Sequence, residues 1–176
     1  VALEGAAGLR HRVEATEKDV GQSLPRTAKF VFNDLQLLAP EDATELITRI
    51  NNDGGADVLI IDTLACAMAG ADENSSRDMG LTVANAKALQ RATDGLVVLV
   101  HHTGKDPSRG MRGHSSLLAA LDTSIEVKRQ EDYRSWRLVK SRDSQDGLQG
   151  GFELEQVEVR ADRHGRPIHS IVVRPV

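Results

Sequence analysis

Two kinds of hydrophobic run alternate along the first two-thirds of the chain. The runs at 58–61 (Val-Leu-Ile-Ile) and 96–100 (Leu-Val-Val-Leu-Val) have no polar interruption, the pattern of strands buried on both faces of a parallel sheet. Val1-Ala2-Leu3 ahead of Glu4 reads as the tail of another such strand, and Phe30-Val31-Phe32 as a short run of high β propensity. Between them lie helical signals. A charged stretch at 9–20 is compatible with a helix. Pro40 followed by Glu41 and Asp42 opens a second helix, with acidic residues at the positive end of its dipole. Leu46, Ile47 and Ile50 share one of its faces, and the segment 51–55 (Asn-Asn-Asp-Gly-Gly) stops it. Ser75, Ser76 and Asp78 are capping candidates for a third helix, whose stripe is predicted to be Leu81, Ala84, Ala88, Leu89 and Ala92. Asp94-Gly95 ends it, and a short helix runs from Ser115 to about Leu121.

The last third changes period. Segments 124–128, 136–140, 152–159 and 168–173 alternate apolar and polar residues, and turn signals separate them, as in an antiparallel meander. The pattern slips phase at Gln156, which predicts a bulge there. The chain therefore reads as one α/β domain over 1–176. Its first part, 1–122, holds a mostly parallel twisted sheet flanked by helices, and its second, 123–176, adds antiparallel strands. In an open parallel sheet, ligands sit beyond the carboxyl ends of the strands. Glu4, Asp62 and His101-His102 all stand at such ends.

Composition narrows the chemistry. With 22 Lys and Arg against 26 Asp and Glu, the formal charge is −4, so any positive surface for nucleic acid has to be local. Cys66 is the single cysteine, which excludes a disulfide framework and a cysteine-rich zinc site. Aromatics at 3% argue against a base-stacking platform. No apolar run approaches the about 18 residues of a membrane span, so no membrane partner is expected and the chain reads as cytoplasmic. It opens on an apolar run without Met, which reads as a fragment whose N-terminal part is missing; a processed native start is the alternative.

Each strand-end residue has a bland reading beside a chemical one. Asp62 stands where phosphoryl-transfer enzymes place an Asp for the Mg²⁺ shell; alternatively it caps the next turn. Glu4 can orient or deprotonate a water, or be a solvated turn residue. His101 and His102 are neighbours on a strand and point to opposite faces, so one faces the crevice, where an imidazole can hydrogen-bond a γ-phosphate, and the other is structural. Lys140 and Arg142, two apart, point to one side; they suit an arginine finger or a solvated strand end. Lys105, Arg109 and Arg112 lie in a Gly-rich loop that can wrap a phosphate backbone or merely be solvated.

These residues occur in a family's order. Residues 1–5 resemble a strand ending in a catalytic Glu, and 58–64 a Walker B strand. Residues 98–105 resemble a sensor strand, 109–116 the loop and helix after it, and 139–143 a trans-acting Lys-x-Arg finger. Together they resemble the RepA-like branch of the hexameric replicative helicases, plasmid- or phage-type, within the RecA/DnaB-type P-loop ATPases. The resemblance implies a RecA-like core and ATP with Mg²⁺ as cofactors. Asp62 and Thr63 would stand on the nucleotide side, with Asp62 serving Mg²⁺ indirectly; Glu4 would serve the water and His102 the γ-phosphate. Lys140 and Arg142 would complete a neighbour's site in a hexameric ring of identical subunits, and Lys105, Arg109 and Arg112 would face single-stranded DNA. The Gly-x-x-x-x-Gly-Lys-Ser/Thr phosphate loop is absent from the 176 residues; in the family it precedes the Glu-bearing strand. The expectation is a helicase motor whose ATPase is weak or inactive in this chain alone. The alternatives are a RecA-like ATPase of recombination or regulation and a non-catalytic RecA-like assembly module.

Overall fold

The computed structural model describes residues 1–102 and 115–176. They divide into two compact units: Val1–Ala6 with Phe30–Ala120, and Ala7–Lys29 with Leu121–Val176. Among the described residues, no helix is long and apolar enough to cross a membrane.

The first unit is built on a strand–helix–strand crossover. Strand β1 (Val58–Asp62) lies parallel to β2 (Leu96–Val100), with Val58 opposite Leu96 and Asp62 opposite Val100. Residues 1–3 extend this sheet on the other side of β1. The Val1 amino group donates to the Ile60 carbonyl at 2.7 Å, Asp62 N–H to Val1 O at 3.0 Å, and Leu3 N–H to Asp62 O at 2.7 Å. Only Ala2 opposite Asp62 forms a regular bridge, so the expected strand is a short parallel ladder. Ala2 N–H in turn donates to Val31 O at 2.8 Å. Phe30–Phe32 is not a strand: its two phenylalanine rings are exposed and stack on each other, so the apolar side chains cover one another instead of a sheet.

Helix α2 (Pro40–Asn52) starts at the proline and buries Ala43 and Leu46. Helix α3 (Ser76–Thr93) is capped by Ser75, whose hydroxyl accepts the Asp78 N–H at 3.3 Å. Its buried stripe is Met79, Thr82, Ala86 and Leu89, in place of the predicted Leu81, Ala84, Ala88, Leu89 and Ala92. Thr82 can sit in the core because its hydroxyl bonds the Asp78 carbonyl one turn back at 2.9 Å. That rotates the inward face away from Leu81. Asp94, left-handed at φ 49°, turns the chain into Gly95. A Cβ on Gly95 would lie 2.6 Å from the Asp57 carbonyl, which accepts the Leu96 N–H and starts the β1–β2 register. Helix α4 (Ser115–Ala120) contributes buried Leu117.

The sheet is not buried on both faces. Leu59 and Ile61 point into the core, whereas Val58 and Ile60 on the opposite face are about half exposed (53% and 50%). Apolar character on both sides of β1 therefore marks a strand with one covered and one open apolar face, while β2 is half-buried from Val97 to Val100.

The second unit packs helix α1 (Ala6–Val20) with a four-stranded antiparallel sheet of order β3-β4-β5-β6: Thr123–Gln130, Tyr133–Ser141, Gln149–Ala161 and Pro167–Pro175. The meander is as predicted, but the bulge is not at Gln156, which pairs with Ile171 in register. It lies between Glu158 and Arg160, with a second between Ser124 and Ile125. The phase slip has another cause. Phe152 and Leu154 project from one face of β5, and Val157 from the other, which it shares with buried Val172 and Arg174. Arg174 joins this sheet to α1, donating to both Asp19 carboxylate oxygens at 2.6 and 2.7 Å and to Glu155 at 2.5 Å. Arg160 pairs with Glu14 at 3.1 Å.

Two predictions test this packing. Leu89→Ala, at a fully buried position, should cost about 2–5 kcal/mol in denaturant unfolding. Leu81→Ala should stay within about 1 kcal/mol of the parent, because Leu81 is 40% exposed; equal losses would return Leu81 to the core. Arg174→Ala should lower the melting temperature more at low salt than at high salt, since its partners are surface carboxylates. A salt-independent loss would mean the side chain acts by packing.

Candidate active site

Because residues 1–3, β1 and β2 run in one direction, their carboxyl ends emerge at one edge. Glu4 follows the first, Asp62-Thr63 ends the second, and His101-His102 follows the third. The backbone binds the first two together: the Asp62 carbonyl accepts both the Leu3 N–H at 2.7 Å and the Glu4 N–H at 3.3 Å. The Asp62–Thr63 peptide is cis.

Beyond β1 the chain makes one 3-10 turn, Cys66–Met68. Leu64 N–H to Val100 O and Leu37 N–H to Ala67 O, both 2.7 Å, pin it at either end. Thr63 organises its start. Its carbonyl accepts the Ala67 N–H at 3.0 Å and its hydroxyl oxygen accepts the Cys66 N–H at 3.4 Å. The Thr63 hydroxyl then donates to Oε1 of Glu4, and Cys66 Sγ donates to the same oxygen at 3.1 Å. Thr63 is buried, Cys66 half-buried and Glu4 exposed.

The electrostatics follow from these contacts. The Thr63 hydrogen bond, and after it the Cys66 one, hold the Glu4 carboxyl below its ordinary value; partial desolvation opposes them and the nearby His102 adds a small favourable effect. Glu4 is thus an ionised acceptor throughout the neutral range. The stabilisation of its charged form is present above the ordinary carboxylate range and is lost as pH falls through the lowered value. The Cys66 thiol moves up, chiefly because it donates to Glu4. It therefore stays protonated near neutrality.

The structure brings Glu4, Asp62, Thr63 and His102 to one edge. His102 is exposed on the strand side shared with Val100 and Asp62, and His101 is half-buried on the other side by alternation. Lys140 and Arg142 belong to the second unit. The Lys140 ammonium donates to the Leu121 carbonyl at 2.8 Å, and Arg142, just past the end of β4, pairs with Asp122 at 2.6 Å in an exposed contact. Lys105, Arg109 and Arg112 lie outside the described residues. Sequence reasoning missed Cys66, using it only to exclude disulfides. Its signal is spacing: a residue three beyond Thr63, in a single helical turn, comes back to the side of Thr63.

Among the described residues, no group of three His, Cys, Asp or Glu stands ready to hold a bare metal ion. Magnesium asks for less, keeping several waters and taking one or two carboxylates together with substrate phosphates. The paired strand ends of Glu4 and Asp62 fit that requirement on the carboxylate side.

Residues 1–108 match the AAA domain family, AAA_25. Among solved structures, the chain is similar to the RadB recombinase, with a TM-score of 0.53 and 14% identity over 72% of this chain and 59% of that one. The likeness shows the fold, a RecA-like core with a parallel sheet, here accompanied by a C-terminal antiparallel sheet. The chain spans less than two thirds of the RadB recombinase structure. No curated protein matches it. With the family matched from Val1 past His102, over more than half the residues, the chain belongs to the AAA domain family.

Proposed function

We propose that this chain carries the water-orienting and magnesium-facing part of an ATP-hydrolysing site, in a motor that couples hydrolysis to movement along single-stranded DNA as a cytoplasmic replicative helicase. The observation that supports hydrolysis best is the placement of two carboxylates, Glu4 and Asp62, on adjacent parallel strand ends. When bound, Mg²⁺ would neutralise charge developing on the phosphates. Asp62 would hold its water shell. Glu4, with a lowered proton affinity, is a weak base and serves by orienting a water rather than by stripping it. His102, on the same side of the sheet edge, would donate to the terminal phosphate.

Lys140 and Arg142 suit the trans-acting pair of a homo-oligomeric, six-membered ring: Arg142 is exposed, and its salt bridge to Asp122 is of the exchangeable surface kind. Lys105, Arg109 and Arg112 would face the DNA. The helicase reading rests on the motif order in the sequence. A recombination ATPase is the second reading, favoured by the likeness to the RadB recombinase.

The test is a Mg²⁺-ATP titration of the 176-residue chain beside a longer form extended upstream of Val1. Binding and turnover by the longer form support the hydrolase reading; binding by neither overturns it and leaves an assembly module. In the form that turns over, Asp62→Ala should lower Mg²⁺-dependent hydrolysis about 10²-fold or more. Unchanged turnover would remove Asp62 from the site. Arg142→Ala should lose about 10³-fold or more, and mixing it with the Asp62→Ala protein should restore part of the activity. Mixed rings without rescue would contradict a finger supplied in trans.

A further inference from the structure

The Glu4 carboxylate is exposed, yet both contacts the structure gives it fall on one oxygen. Oε1 accepts the Thr63 hydroxyl and the Cys66 thiol, while among the described residues no hydrogen bond falls on Oε2. A carboxylate oxygen offers two lone-pair sites, so Oε1 is filled and Oε2 has both of its own open. We infer that Thr63 and Cys66 are positioning residues: a two-donor clamp that locks Glu4 by Oε1 and presents Oε2 to the attacking water.

Three features make the clamp directional. Thr63 has one hydroxyl proton. Its oxygen already accepts the Cys66 N–H, so the proton is committed to Glu4. The turn that carries Cys66 is tied to β2 through Leu64 and to the segment before α2 through Leu37, so the backbone from which the thiol projects is fixed. The Glu4 backbone is anchored in turn on the Asp62 carbonyl. A long acidic side chain that would otherwise sample several rotamers is thus held at both ends before any substrate arrives. A thiol is the weaker donor, so Thr63 carries more of the effect. The burial of Thr63, unusual for a polar residue, also follows: its hydroxyl is fully used as acceptor and donor.

The clamp stands on geometry alone; the purpose given to Oε2 rests on the hydrolase reading above. Two measurements separate them. The first needs no nucleotide. Cys66 is the only thiol, so its alkylation by iodoacetamide at fixed neutral pH reports on the contact in the 176-residue chain. Glu4→Gln, an exposed and near-isosteric change, replaces the charged acceptor of the thiol proton with a neutral and weaker one. Labelling should accelerate about threefold or more, because the thiolate is the reacting form. An unchanged rate in a variant that melts like the parent would overturn the clamp.

The second measurement uses the ATP-hydrolysing form. Thr63→Val should lower kcat about 10- to 100-fold, the loss of one charge-assisted hydrogen bond, with KM moved by less than about twofold. Thr63→Ser should restore most of kcat. Thr63→Val added to Glu4→Gln should cost nothing further, because there is no carboxylate left to position. Equal losses in both backgrounds, or a Ser variant as poor as Val, would overturn the clamp while leaving the hydrolase reading intact. Wild-type turnover by Glu4→Gln would overturn the role of Glu4, and with it the use of Oε2, even where the labelling rate confirms the contact.

Discussion

The site depends on a ladder of three backbone hydrogen bonds. Val1 N to Ile60 O, Asp62 N to Val1 O and Leu3 N to Asp62 O align residues 1–3 with β1 in the parallel sense. Parallel alignment is what places two strand ends, and hence two carboxylates, at the same edge; an antiparallel ladder would put Glu4 at the far end of the sheet. The β1–β2 register, started by the close approach of Gly95 to Asp57, then brings the histidine pair to that edge as well. Like charges at neighbouring strand ends repel, and the fold answers this locally. Two donors stabilise the ionised Glu4, and His102 stands near it.

Much of this was legible in the chain. Val58-Leu59-Ile60-Ile61 and Leu96–Val100 are parallel strands, Pro40 starts its helix, Ser75 caps α3, and the last third is a meander. The sequence cues worked because they are local: fixed φ at proline, side-chain capping, and the period of two in half-buried strands. What escaped is tertiary. An apolar run says nothing about which face a neighbour covers, so half-exposed Val58 and Ile60 looked like core. Thr82 lies in the core because of a hydroxyl bond to its own helix, which hydrophobicity does not register. Residues 7–29 belong with the C-terminal strands through ion pairs more than 140 residues apart in sequence, Glu14 with Arg160 and Asp19 with Arg174.

At the site, the strand-end acids and imidazoles were visible because an apolar run that stops on a charged residue is a strong signal. Thr63 was read only for the nucleotide side, whereas its hydroxyl in this structure serves Glu4. Cys66 was invisible as a partner because a lone cysteine carries no pattern, and its meaning emerges only once the 3-10 turn folds it back under the carboxylate. The division of labour is then consistent. In the proposed site Glu4 and Asp62 would face the phosphates, while Thr63, Cys66 and the pinned turn would hold Glu4 still.

In the proposed site these strand ends meet the phosphates of a nucleotide. A crystal structure with Mg²⁺ and a non-hydrolysable ATP analogue tests it directly. The expected result is the γ-phosphate at this edge, Asp62 on the magnesium's water shell, and a water bonded to Oε2 of Glu4 with Oε1 still held by Thr63 and Cys66. Phosphates bound elsewhere, or a Glu4 turned away from them, would contradict it.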